Sequence, residues 1–190
     1  MAPSGHICVE IGLLGQIIGC LAVLGWNPMR PLTEPQIRTS FVNCTKGEAS
    51  RLHVPRDLPG RPWDDLDFLG WRDPKAPERA YLVAERDDRP VGVALRVAGA
   101  RHGHQRRSMC SLCLTTHTGS GVALMSARRR RGEADSVGAY VCADLGCPLY
   151  VRGTRKPEFG ERLEESLTLE EQIDRMTGNL HAFLDRLSAA

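Results

Sequence analysis

Two strand pairs, a capped amphipathic tail and two close cysteine pairs predict an α+β fold. Tyr81-Leu82-Val83-Ala84 and Val91-Gly92-Val93-Ala94-Leu95 are short β-branched and apolar runs, and Asp87-Asp88-Arg89-Pro90 between them supplies turn chemistry. Val122-Ala123-Leu124-Met125 and Val137-Gly138-Ala139-Tyr140-Val141 repeat the pattern, joined by a turn over Arg128 to Arg131 that ends at Gly132. Near the carboxyl end, Thr168 precedes Glu171 by three residues, a capping box that opens a helix. Leu169, Ile173, Met176, Leu180, Phe183 and Leu187 follow on one stripe, which is expected to pack on its own domain.

The remaining segments are read from weaker signals. Thr33 to about Asn43 is a short helix with Thr33 as cap, Pro35 in its first turn, and Ile37, Phe41 and Val42 along one face. A further turn is expected from Lys46 to Leu52. Arg61 to Pro77 is rich in Pro and Gly yet carries Trp63, Leu66, Phe68, Leu69 and Trp71, so it reads as an irregular loop pinned to a core. In that loop Asp64, Asp65 and Asp67 are expected to cap or to be solvated. The expected division is 29–60 as a short helical part, 61–153 as the α/β part with the cysteine pairs, and 154–190 as linker and terminal helix.

The 190 residues suffice for one ordinary domain or two small ones. Lys and Arg number 25 against 23 Asp and Glu, a balance that excludes a nucleic-acid coat or an acidic tail as a class for the whole chain. Residues 7–26 are mostly apolar, but Glu10, Gln16 and four glycines interrupt them, and no Lys or Arg precedes them. The segment 1–28 is therefore expected to be a non-native extension ahead of an initiating Met29, with a hydrophobic membrane segment or a packed helix as the competing readings. Membrane association is not expected.

Among the 7 cysteines, the pairs Cys110-Ser111-Leu112-Cys113 and Cys142 to Cys147 stand apart, as a C-x-x-C and a C-x4-C. Residues 114–141 between them hold the second strand pair, which returns the chain so that both pairs reach one ion. Four thiolates in this layout favour zinc, and cytosolic thiols remain reduced for it. His117 is the alternative fourth ligand, while His102 and His104 are weaker candidates. Cys8, Cys20 and Cys44 are expected to be free thiols. Four protein ligands leave no open coordination position, so one structural Zn²⁺ is expected. No phosphate-binding loop, dinucleotide fingerprint, nucleophile elbow or H-E-x-x-H motif occurs, and the protein is expected not to be an enzyme or to take a small-molecule substrate. Arg106 and Arg107 flank the first pair, and Arg128, Arg129, Arg130 and Arg131 lie in the turn; with Arg101 they form a stretch without an acid up to Gly132. They are candidates for neutralising the thiolates or for binding an acidic or phosphate-bearing partner.

The stretches 107–113, 121–127 and 135–147 resemble the carboxy-terminal treble-clef zinc finger of the elongation factor G-binding family, which includes the fusidic acid resistance proteins. This resemblance implies a small helical amino-terminal part and a zinc-bearing α/β part, with Cys110, Cys113, Cys142 and Cys147 as ligands. It also implies a cytoplasmic, non-enzymatic protein that binds elongation factor G through the zinc part, near the ribosome. An RNA- or ribosome-binding zinc module using the arginines is the alternative. Residues 33–58 are short beside the helical bundle of the resistance members.

Overall fold

The computed structural model describes residues 28–98, 107–129, 135–158 and 164–188. Its centre is an antiparallel sheet in the order β1-β2-β3-β6-β7: β1 Phe68–Arg72, β2 Arg79–Arg86, β3 Arg89–Val97, β6 Val122–Arg128 and β7 Ser136–Cys142. A separate two-stranded ribbon, β4 Arg107–Met109 with β5 Thr116–Thr118, lies between β3 and β6 in the chain. The β2–β3 turn needs only Asp87 and Asp88, both with positive φ (50° and 59°), the backbone of a tight two-residue hairpin. Arg89 and Pro90 therefore belong to β3 rather than to the turn.

The first three strands are buried on both faces. Phe68, Ala80, Leu82, Ala84, Val93 and Leu95 join the cysteines and the tail helix in one core, whereas Leu69, Trp71, Tyr81 and Val83 join the amino-terminal segments in another. Successive strand residues point to opposite faces, so one strand serves both cores. On the second face sit α1 (Glu34–Ser40) and α2 (Lys46–Arg51), capped by Thr33 and Thr45. The Thr45 hydroxyl accepts from Glu48 N–H and the Glu48 carboxylate returns to Thr45 N–H, which holds that carboxyl below its ordinary range. On the first face lies α4 (Leu169–Ser188). Its Thr168–Glu171 capping box is formed, at 2.7 and 3.3 Å.

Several expectations are corrected. Phe68–Arg72 is not loop but an edge strand paired with β2, because its aromatic and apolar alternation finds both cores. Val42 is exposed (57%), since α1 ends at Ser40 and the chain turns extended to bridge Phe41 to Gly92. Leu169 is also exposed (48%), and Leu184 takes its place in the buried stripe that packs on the chain's own core. Asp67 neither caps nor faces water: it receives both guanidinium nitrogens of Arg152, at 2.6 and 3.0 Å, in a buried ion pair. Arg128 belongs to β6 opposite Ser136, so the strand pair is longer than expected, and the rest of the turn, residues 130–134, lies outside the described residues. So does the segment 1–27; Met29, which follows it, is buried and donates its N–H to Leu66 O.

Among the described residues the β3–β6 ladder registers Arg96 with Ser126 and Val97 with Met125, and Ala98 N–H donates to Leu124 O just beyond it. Where they diverge, buried Asn43 substitutes for the missing ladder. Its Oδ1 accepts from Ala94 N–H (2.8 Å), and its Nδ2 donates to Ala94 O (2.9 Å) and Arg128 O (3.3 Å). Replacing Asn43 by Ala strands these backbone groups and is expected to cost about 1–3 kcal/mol in urea unfolding. Arg152→Ala, which leaves Asp67 buried without its partner, is expected to cost about 3–5 kcal/mol in the same measurement.

Candidate metal centre

Each cysteine pair sits in a strained knuckle. Cys110 ends the approach from β4, and the chain reverses through Leu114 (φ 58°), whose N–H donates to Cys110 O. Cys142 is the last residue of β7, and the chain reverses through Leu145 (φ 57°), whose N–H donates to Cys142 O. Cys147 then opens the short helix α3 (Cys147–Val151), with Pro148 in its first turn. Left-handed leucines are uncommon. Leu145 is held there by packing: a Cβ added to Gly70 of β1 would lie 2.4 Å from its Cβ, so the sheet and the second knuckle meet where only glycine fits.

The four sulfurs converge. All four ligand atoms lie within 4.8 Å of one another, and all four residues are buried. Cys110 Sγ is 3.6 Å from Cys147 Sγ, and Cys113 Sγ is 3.5 Å from Cys142 Sγ. A tetrahedron with Zn–S bonds near 2.3 Å needs sulfurs about 3.8 Å apart, so the set fits one zinc with small shifts of the sulfurs. A dry cluster of this kind cannot carry four thiolates without a cation. Hydrogen bonds from Cys113, Cys142 and Cys147 hold the Cys110 thiol well below its ordinary value. Cys142 is pushed up, first by its bond to Cys110, and Cys147 is pushed up, first by burial. Bound zinc supplies the positive charge that lets all four deprotonate.

The surroundings orient the sulfurs. Leu112 N–H lies 3.4 Å from Cys110 Sγ, and the Thr115 hydroxyl lies 3.3 Å from Cys113 Sγ. His117 is not a fourth ligand; its Nε2 lies 3.3 Å from Cys142 Sγ, placed to donate to that thiolate. Burial holds the imidazole below its ordinary value, against the pull of Asp144 and Cys110. Tyr150 packs edge-on against the His117 ring and donates to Asp144, which also accepts from Gly146 N–H and pairs with Arg155 at 2.7 Å. Gly121 lies so near that an added Cβ would be 2.5 Å from His117 Cβ. The tail helix reaches the site too, where Asn179 Nδ2 donates to Leu112 O. Of these outer groups only His117 was readable in advance, from its place after the C-x-x-C; Thr115, Tyr150, Asp144 and Asn179 carry no local signal.

The elements thus run knuckle, hairpin, second knuckle, helix, with one ligand pair on each knuckle. The model of the family described as FBP C-terminal treble-clef zinc-finger matches residues 36–187. The chain belongs to this family. No curated protein sequence matches it significantly. The structure of the fusidic acid resistance protein FusC superposes with a TM-score of 0.55 at 15% identity, over 84% of this chain and 60% of FusC. That likeness is one of fold, and this family member spans little more than half of FusC. The cysteine set, in a treble-clef family, is the site of one structural zinc.

The arginines divide. Arg107 and Arg128 are exposed on β4 and β6. Arg129 pairs with Asp135 at 3.4 Å, so it is not the uncompensated charge its sequence neighbourhood indicated. Arg106, Arg130 and Arg131, with His102 and His104, lie outside the described residues. None of the described arginines of the stretch hydrogen-bonds a cysteine sulfur; backbone, Thr115 and His117 are the nearby polar groups. Cys44 is a free thiol on the other face, and Cys8 and Cys20 are not among the described residues.

Metal analysis of reduced protein is expected to give one zinc per chain. Chelation is expected to abolish the cooperative unfolding transition, since the knuckles contribute to the core through the ion. Cys147→Ser is expected to lower zinc stoichiometry and stability together, because α3 then loses its anchor.

Proposed function

We propose that this protein is a non-enzymatic, cytoplasmic zinc protein of the translation apparatus that binds elongation factor G through its treble-clef part. Membership of the zinc-finger family and a fold shared with a fusidic acid resistance protein support this reading. The observation that carries it is the outer face of the metal-bearing hairpin. Leu124 and Tyr140 stand opposite each other on β6 and β7, exposed at 38% and 48%, although large apolar side chains ordinarily turn inward. Arg128 lies on the same face, four residues beyond Leu124, and so does Arg96, opposite Ser126 on β3. Exposed Met109 follows Arg107 on the ribbon that leads into the first knuckle, and Ser111 N–H of that knuckle donates to Tyr140 O.

An aromatic and two aliphatic side chains rimmed by arginines suit an acidic protein surface: the apolar groups supply contact and the guanidinium groups supply orientation. The zinc does no chemistry in this reading. It holds the β7 end and the knuckle in one rigid arrangement, so that little order is lost on docking. The arginine-only reading, an RNA-binding module, gains less from this face, because Arg129 is paired and exposed Leu124, Tyr140 and Met109 stand among the arginines. No helix among the described residues is long and apolar enough to cross a membrane.

Calorimetry with zinc-loaded protein and purified elongation factor G is expected to show a one-to-one complex. Tyr140→Ala is expected to weaken it tenfold or more with zinc content unchanged. Absence of binding at low salt removes the proposal, and retention of RNA lost on Arg128→Gln would favour the alternative.

A further inference from the structure

The sheet face opposite the zinc carries a second feature. An open cleft of about 530 Å³ lies between α1–α2 and the segment joining β1 to β2. Its rim is cationic. Arg51, Arg56 and Lys75 are exposed there and have no carboxylate within ion-pair distance among the described residues. Arg79 adds a fourth charge, with Glu78 at 3.8 Å. The acids of the lining are already engaged. Glu34 is bound to Arg38 at 2.6 Å, and Asp73 accepts from Lys75 N–H, Ala76 N–H and the Tyr81 hydroxyl. At the cleft wall, His53 Nδ1 is buried without a hydrogen-bond partner.

The rim is also held in place. Arg38 Nη1 donates to the carbonyls of Ala49, Ser50 and Leu52, which locks the end of α2 beside which Arg51 and His53 sit. Asp73 clamps the start of the β1–β2 segment and so sets the position of Lys75. Like charges collected on a preorganised rim repel one another unless an anion spreads between them. The apolar lining is limited to Leu52, Val54 and Ala76, which offers no aromatic platform for a base. Arg forks and a lysine instead match tetrahedral oxyanions, and the cleft is wide enough for more than one.

We propose that this cleft is a phosphate-binding site that takes consecutive phosphates, either of a free polyphosphate chain or of an RNA backbone. It shares no lining residue with the Leu124–Tyr140 face and does not depend on what that face binds.

The test uses the full zinc-loaded chain and two probes, sodium tripolyphosphate by calorimetry and a labelled single-stranded RNA twelve-mer by fluorescence anisotropy. At least one probe is expected to bind at low salt, and R51Q/R56Q/K75Q is expected to weaken it tenfold or more, while Arg186→Gln, exposed on α4 across the sheet, leaves it unchanged. Lys75→Glu, which lies outside every helix and strand, is the second variant and is expected to weaken the same probe. Binding of tripolyphosphate identifies the isolated polyphosphate as sufficient; binding of RNA alone identifies the chain backbone. For RNA, affinity falls with salt with a log–log slope of about 0.7 per phosphate contact, and the triple variant flattens that slope. The site is overturned if neither probe binds, if both variants bind as the parent does, or if poly-glutamate binds as tightly as the probes.

Discussion

The mutual repulsion of four buried sulfurs, relieved by one divalent cation, is the constraint on which the rest of this structure depends. Cys110, Cys113, Cys142 and Cys147 come from three different elements, the β4–β5 ribbon, the end of β7 and the start of α3. Without a shared ion, burial would keep the Cys147 thiol protonated. With it, the two strained knuckles are tied to each other through the ion. Leu114 and Leu145 can then hold left-handed backbone, a conformation whose cost must be offset by surrounding contacts.

From that centre the fold extends in both directions. Gly70 lets β1 press on Leu145, and Arg152, at the end of α3, reaches the buried carboxylate of Asp67 just before β1. The metal motif is thereby tied to the far edge of the sheet by packing and by charge. α4 closes the same face: Ile173, Met176, Leu180 and Phe183 enter the core that contains the cysteines, and Asn179 bonds the first knuckle. The sheet then divides the labour. One face holds the ion, and the other, built on Ile37, Trp63 and Trp71, holds the basic cleft. Both sheet faces draw rigidity from a common set of strands.

Zinc geometry also places the outer hairpin face. The register Leu124–Tyr140 is set by pairing that ends at Val122–Cys142, so the position of a ligand cysteine determines which side chains of β7 face outward. A slip of one residue would bury Tyr140 and expel Cys142 from the metal. The outer hairpin face and the metal site are thus two readings of one strand alternation.

How much of this was legible in the residues follows from the range of each signal. Local chemistry was readable: the C-x-x-C and C-x4-C spacings, the Thr168–Glu171 cap, the apolar alternation of the two hairpins and the stripe of the tail helix are properties of neighbouring residues. The sequence by itself determined the cysteine set and its zinc, the two hairpins and the terminal helix. Tertiary structure alone decided that 68–72 is a strand, since its pairing partner lies beyond a Pro-rich segment and its Gly70 answers to Leu145. It likewise decided that Asp67 meets Arg152, that Asn43 completes a ladder between β3 and β6, that Arg129 is neutralised by Asp135, and that a cleft gathers Arg51, Arg56 and Lys75. These contacts join residues far apart in the chain or depend on a turn's path, and charge or composition along a sequence carries no information about which distant group will stand opposite once the chain has closed.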